Sequence, residues 1–321
     1  MSFSHERNAD MKILVVMPVN ENHKEILKSK APTAQWIFTP ADKVSAEVAN
    51  DADAIIGNIA PKMIQNSSNL KWLQLNSAGT DGYTNKGAIP KETILTNATG
   101  AYGLAISEHM VGMVLCMMKK LGEYKLDTNE HVWNDRGPVK SIYESKTLVV
   151  GCGDIGGEFA KRMNALGSKV TGIRRNIKVV PDYLEKMCTM DEFEECIKDA
   201  DIVASALPSS PETIHLYNEK TFALMKEGAF FVNVGRGNAV DQLALANALN
   251  SGHLAGAAVD VTDPEPLPAD HPLYSAKNIL ITPHVSGGYH LAETHNRIIG
   301  IAAANLELFL KGELIGLKRE L

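Results

Sequence analysis

The chain has 321 residues, 45% hydrophobic and 22% charged, with a formal net charge of −6. That balance describes a globular protein of about two ordinary domains; it excludes a disordered chain, a collagen-like repeat and a small disulfide scaffold. The acidic charge disfavours nucleic acid as a partner, and the longest apolar runs, such as residues 13–17, are too short for a membrane span.

Residues 1–10 are polar and lack an apolar core, so they read as a flexible extension, not a signal peptide. The pattern then predicts a strand over 12–18, a helix over 21–29, a strand over 35–39 and a helix over 44–50. A strand over 54–57, a short helix over 61–67 and a strand over 72–75 follow. Strand alternating with helix implies a parallel sheet covered on both faces, joined by right-handed crossovers. A helix over 104–121 carries Met110, Val111, Val114, Leu115, Met117 and Met118 and has no wide polar face. Such a helix belongs in a core or a subunit interface, with its methionines as adaptable packing.

A second alternating series predicts strands over 147–151, 169–173, 202–206, 229–233, 256–261 and 279–282, with a last helix over 297–310. The proline-rich piece 263–272 reads as a loop. Cys116, Cys152, Cys188 and Cys196 show no C-x-x-C spacing and lie in no His-rich tract. They predict neither a metal site nor a disulfide framework, but reduced thiols in a cytoplasmic protein.

Leu148-Val149-Val150-Gly151-Cys152-Gly153-Asp154-Ile155-Gly156 runs from a strand into G-x-G-x-x-G, and an amphipathic segment with Phe159, Met163 and Leu166 follows. The glycines alone are a weak signal; between a strand and a helix they mark a dinucleotide loop. Gly151 permits the tight turn, Gly153 the close approach of a pyrophosphate, and Gly156 the packing of helix on sheet. The helix N-terminus then faces the phosphates. An NAD site ends its next strand in an acid that accepts from the ribose hydroxyl. This chain has Arg174-Arg175, two guanidinium groups suited to a 2′-phosphate. NADP(H) is therefore the preferred cofactor, with NAD(H) left open.

Three later strands end in reactive residues: Asn233-Val234-Gly235-Arg236-Gly237, then Asp260 through Glu265, then Thr282-Pro283-His284. Ligands bind open α/β sheets at the carboxyl ends of strands. Singly, an Arg between glycines is as often a turn, a Glu among prolines is usually solvated, and a His after Pro is usually packed. Together with a dinucleotide loop they point to a site.

In this order, with Ser77-Ala78-Gly79-Thr80-Asp81 and Leu207-Pro208, these motifs resemble the D-isomer-specific 2-hydroxyacid dehydrogenases over nearly the whole chain from Met11. The departure is Arg174, where most members have Asp. The resemblance implies an α/β fold of two doubly wound parallel-sheet domains. A Rossmann cofactor domain (100–289) is inserted into a flavodoxin-like substrate domain (11–99 plus 290–321). Gly100, Gly103, Gly287 and Gly288 are expected hinges. It also implies a homodimer through the helix over 104–121 and the region of Trp133.

The implied chemistry is reduction of a small 2-oxoacid to the D-2-hydroxyacid. Arg236 would clamp the carboxylate and polarise the carbonyl. His284 would protonate the oxygen, and Glu265 would hydrogen-bond His284 and favour its protonated form. The amides of Ala78 and Gly79 would hold the carboxylate, Tyr102 would line the pocket, and Asp260 would meet the nicotinamide end of the cofactor. Asp154, Ile155, Leu207, Pro208, Thr213, Val234, Gly235, His284 and Gly287 complete the expected cofactor contacts. His109 reads as packing ahead of a supporting role. Formate dehydrogenase is disfavoured, because it would place Gln where Glu265 stands. A short phosphoglycerate dehydrogenase and a cofactor-sensing, corepressor-like binding protein remain as alternatives.

Overall fold

A computed structural model of the chain describes residues 11–177, 179–317 and 319; the expected extension over 1–10 lies outside the described residues. The chain forms two compact units, one from the residues up to Tyr102 and from Leu291 onward, the other from Gly103–His290.

The first unit opens with β1 (Lys12–Val15), α1 (Glu21–Lys30), β2 (Gln35–Phe38), α2 (Ala46–Asp51), β3 (Ala54–Ile56), β4 (Trp72–Gln74) and β5 (Ile94–Thr96). The strands pair in parallel in the order β2-β1-β3-β4-β5. Every residue of β3 and β4 is buried, as expected for central parallel strands covered on both faces. Leu14, Ile55, Leu73 and Leu95 form one side of the core.

The second unit contains α3 (Gly103–Met118), α4 (Leu121–Asn129), β6 (Lys146–Val150), α5 (Asp154–Ala165), β7 (Lys169–Ile173) and β8 (Lys186–Cys188). It continues with α6 (Phe193–Lys198), β9 (Ile202–Ser205), α7 (Glu219–Leu224), β10 (Ala229–Asn233), α8 (Gln242–Asn250), β11 (Leu254–Val259) and β12 (Ile279–Ile281). Its parallel sheet runs β12-β11-β10-β9-β6-β7-β8, so the strand order reverses between β6 and β9. That reversal opens a crevice at the carboxyl ends of the two strands. Tyr217, Phe222 and Phe231 pack ring against ring in the core on one face. The last helix, α9 (Ala292–Lys311), returns to the first unit. There Phe309 stacks on Trp72, and Asn305 donates to the Gln74 side chain at 2.7 Å.

The elements differ from the sequence pattern in four places. The helix expected over 104–121 stops at Met118, because Lys120 adopts a left-handed backbone (φ 56°) and α4 starts afresh at Leu121. The Lys120 ammonium donates to the Arg136 carbonyl, which ties this corner down. The short helix over 61–67 is only a 3₁₀ turn, Pro61–Met63; the Ser67 hydroxyl takes the Asn69 and Leu70 amides and turns the chain out of the helix. β5 and β8 were not anticipated, since three residues are too short to show a period. The final helix begins five residues before the expected start at 297, through a polar first turn in which Thr294 is buried.

Candidate active site

The glycine loop sits at the reversal of strand order. Gly151 has φ +91°, and a Cβ there would stand 2.8 Å from the Ala206 carbonyl oxygen. A Cβ on Gly156 would lie 2.4 Å from the Gly151 carbonyl oxygen. Both positions therefore exclude side chains. Gly153 differs: it is exposed, and a Cβ there would meet nothing within 4 Å. No side chain caps the first turn of α5, so its amides are directed outward, as an incoming phosphate requires. Asp154 leans toward α3, where a Cβ on Gly103 would come within 2.8 Å of its carboxylate. Ile155 is half-buried beside it.

From this loop a cleft of about 1110 Å³ extends past Gly151, Gly153, Ile173, Arg174, Arg175, Leu207, Pro208 and Thr213. Arg174 follows β7, and its amide donates to the Cys188 carbonyl at 3.0 Å. Both arginines are exposed along the cleft wall. Glu212 lines the same cleft; its hydrogen bond to Ser210 and the charge of Arg175 hold its carboxyl below the usual range. The Thr213 hydroxyl donates to the Pro208 carbonyl at 2.9 Å and accepts the Ser210 amide at 2.8 Å, so Thr213 shapes the cleft loop. The residues present fit a dinucleotide: glycine backbone for the pyrophosphate, and two guanidinium groups beyond it.

Arg236, Asp260 and His284 follow β10, β11 and β12, which are neighbours in the sheet. The glycines around Arg236 are dictated by backbone contacts. A Cβ on Gly235 would stand 2.4 Å from the Leu207 carbonyl oxygen, and one on Gly237 would stand 2.0 Å from that of Thr262. Buried Asn233 accepts the Gly235 amide and donates to the Arg236 carbonyl, closing the turn. Val234 is buried behind it and donates to the Ser205 carbonyl. Arg236 Nη1 donates to the Gly235 carbonyl at 2.8 Å, which sets the direction of the guanidinium fork.

His284 Nδ1 lies 2.8 Å from Glu265 Oε2. The carboxylate can only accept, so Nδ1 carries the proton. The other Glu265 oxygen accepts the Thr262 amide at 3.1 Å, which fixes the carboxylate plane. His284 itself has φ +52°, a left-handed conformation rare outside glycine. Its amide is shared between the carbonyls of Asp260 (2.8 Å) and Thr282 (3.0 Å).

Asp260, assigned by resemblance to the nicotinamide end, turns its carboxylate inward. It is 1% exposed and accepts from the Thr282 hydroxyl, the amides of Val285 and Ser286, and the Ser286 hydroxyl. Gly287 follows this turn and is half-buried. His109, which read as packing, makes a polar contact instead: its Nε2 lies 3.1 Å from Thr282 Oγ1.

In the first unit, Ser77 Oγ donates to the Gly79 carbonyl at 2.7 Å and Asn97 donates to the Ala78 carbonyl at 2.6 Å. Both carbonyls are thus engaged, while among the described residues no acceptor faces the Ala78 and Gly79 amides. Tyr102 is buried, and its hydroxyl donates to the Asn76 carbonyl, bracing the strand end before that turn.

Residues 111–286 match the model of the D-isomer specific 2-hydroxyacid dehydrogenase NAD-binding domain. A glyoxylate reductase of Thermofilum pendens is 30% identical over 302 residues, covering 91% of this chain and 83% of the relative. A D-3-phosphoglycerate dehydrogenase of Methanocaldococcus jannaschii is 30% identical over 95% of this chain but only 58% of its own length. A solved D-isomer specific 2-hydroxyacid dehydrogenase family protein from Aeromonas salmonicida superposes with a TM-score of 0.83 at 27% identity, covering 95% of this chain and 97% of that one. The chain belongs to the D-isomer specific 2-hydroxyacid dehydrogenase family. It is an oxidoreductase of 2-hydroxyacids that uses a nicotinamide cofactor. Among the described residues no helix is long and apolar enough to cross a membrane.

Proposed function

We propose that the protein reduces a small 2-oxoacid to the D-2-hydroxyacid and prefers NADPH. The observation that carries the reaction is the His284–Glu265 pair at 2.8 Å, beside the strand end that bears Arg236. The observation that favours NADPH is the pair Arg174 and Arg175 on the cleft wall.

Gly151, Gly153, Gly156 and the first turn of α5 would hold the pyrophosphate, and Arg174 and Arg175 the 2′-phosphate. The bound cofactor supplies the hydride. Arg236 binds the substrate carboxylate through its planar fork and draws electron density from the carbonyl. Protonated His284 gives its Nε2 proton to the carbonyl oxygen, while Nδ1–H stays on Glu265. The imidazole thus ends neutral and still oriented.

The test is initial rates with NADPH and NADH in parallel on glyoxylate, hydroxypyruvate, phenylpyruvate, a branched 2-oxoacid and 3-phosphohydroxypyruvate. Turnover of an unphosphorylated 2-oxoacid is the expected result, faster with NADPH. Turnover confined to 3-phosphohydroxypyruvate would support the phosphoglycerate reading, which the relative from M. jannaschii favours. No consumption on any substrate would support cofactor sensing.

The working form is a homodimer in this proposal. In the second unit Leu121, Leu126, Val132, Trp133 and Val139 are all exposed, with Trp133 fully so. A strip of this kind is suited to cover by a second copy, and sedimentation would test it. The four free cysteines agree with a reducing, cytoplasmic setting.

A further inference from the structure

We propose that His109, on α3, is a positioning residue for His284, acting through Thr282 and Asp260. The inference rests on reading His284 as the proton donor.

The turn that carries His284 hangs on Asp260 by both backbone and side chain. The Asp260 carbonyl accepts the His284 amide at 2.8 Å. The Asp260 carboxylate accepts the Val285 amide at 3.0 Å on Oδ1 and the Ser286 amide at 3.1 Å on Oδ2. A left-handed histidine persists only where its surroundings hold it, and these bonds provide the hold.

The remaining donor on Oδ1 is the Thr282 hydroxyl, at 2.5 Å. A hydroxyl has one proton. Thr282 gives it to Asp260, so toward His109 it can only accept, and Nε2 of His109 carries the proton in their 3.1 Å contact. Nε2 is also 4.0 Å from Asp260 Oδ1. His109 therefore fixes the Thr282 rotamer, Thr282 completes the donor set of Asp260, and Asp260 sets the turn of His284. The His109 side chain is part-buried, and the covered part of a polar ring is best accommodated when it is hydrogen-bonded; the Thr282 hydroxyl is the partner it finds.

The experiment compares His109→Leu, His109→Gln and Thr282→Val with the wild type, and includes His284→Asn. Glyoxylate reduction by NADPH is read as kcat and KM. Hydrogen exchange of the Val285 and Ser286 amides is read on the free protein. His109→Leu and Thr282→Val should lower kcat about tenfold, within the range that a small misplacement of a reacting group produces. KM for glyoxylate should change by less than about twofold, since Arg236 is untouched. Exchange at Val285 and Ser286 should rise about tenfold as the turn opens locally. His109→Gln, which keeps an N–H donor, should restore most of both.

Wild-type kcat and exchange in His109→Leu and Thr282→Val would overturn the inference. So would equal kcat losses in His109→Leu and His109→Gln with exchange unmoved. If His109→Leu fails to fold, Thr282→Val decides alone. If His284→Asn turns over like the wild type, it is the proton-donor reading that fails, and the exchange rates still decide the role of His109.

Discussion

Gly237 faces the Thr262 carbonyl so closely that a Cβ on it would lie 2.0 Å from both the carbon and the oxygen. This contact joins the turn of Arg236 to the start of the loop that carries Glu265, because the Thr262 amide is what holds Glu265 Oε1. Backbone meets backbone here, with no flexible side chain to move aside.

Gly237→Ala should therefore destabilise the protein by about 1–3 kcal/mol, the usual cost of overpacking. It should also lower kcat/KM by moving Glu265 away from His284. Gly300→Ala has the opposite sign. Gly300 is exposed in α9 with nothing within 4 Å of a Cβ, so alanine should add about 0.5–1 kcal/mol. Urea denaturation of both variants checks the pair; equal midpoints for the two would contradict the packing argument.

Arg174→Asp should move cofactor preference toward NADH, because a carboxylate accepts from the ribose hydroxyl and repels a 2′-phosphate. Arg175→Ala should do less, since Glu212 across the cleft already offsets the charge of Arg175. The measure is the ratio of kcat/KM for NADPH to that for NADH, and a ratio unchanged in both variants would sink the assignment.

His284→Asn should depress kcat by roughly 10²–10⁴, the range for loss of a general acid. Arg236→Ala should weaken substrate binding and turnover together. Single-turnover rates and substrate titrations separate the two; an Arg236→Ala enzyme with unaltered kcat/KM would rule out the clamp.

The pH dependence of stability should include a histidine contribution from the first unit. His295 Nε2 contacts the Pro18 carbonyl at 2.7 Å, and its ring meets His23 edge-on at 4.4 Å. Burial, and secondarily the charge of His23, lower its pKa from the ordinary 6.5. The unfolded chain then binds more protons than the folded one in the window just below 6.5. Stability from this site is complete above that value and is lost as pH falls through the lowered folded pKa. The Tm of the wild type should drop between pH of about 7.5 and about 5.5, and His295→Gln should reduce the drop. Identical slopes in the two proteins would refute it. Nearby Glu21 and Glu293 are paired with Lys24 and Arg297 and serve as background common to both.

What the sequence made legible is what repeats or is forced. The strand-glycine-helix run at Gly151 is visible because backbone crowding admits no side chain there, and Gly235 and Gly237 are marked by the same constraint. Strands β7 and β10 fall on the expected residues because Val170, Thr171 and Ile173 in the one and the run Ala229 to Val232 in the other leave a clear trace. β5 and β8 leave none at three residues each. The left-handed Lys120 was hidden because its hold is a carbonyl sixteen residues away. His109 and Thr282 are 173 positions apart, and nothing local to either residue announces the contact. The inward turn of the Asp260 carboxylate was hidden for the same reason: all four of its donors come from beyond β12.

The interruption of the first unit by the second has a bearing on synthesis. Gly103–His290 is one unbroken stretch, whereas the first unit awaits α9, which brings Phe309 to Trp72 and Asn305 to Gln74. Domains fold as units while the chain emerges at about 5–20 residues per second. The nucleotide-binding unit thus has all its residues before the first unit does, although the first unit is begun earlier. The ribosome therefore holds β1 to β5 unfinished, with Trp72 and Gln74 of β4 still lacking their cover from α9, while the whole of Gly103–His290 is made.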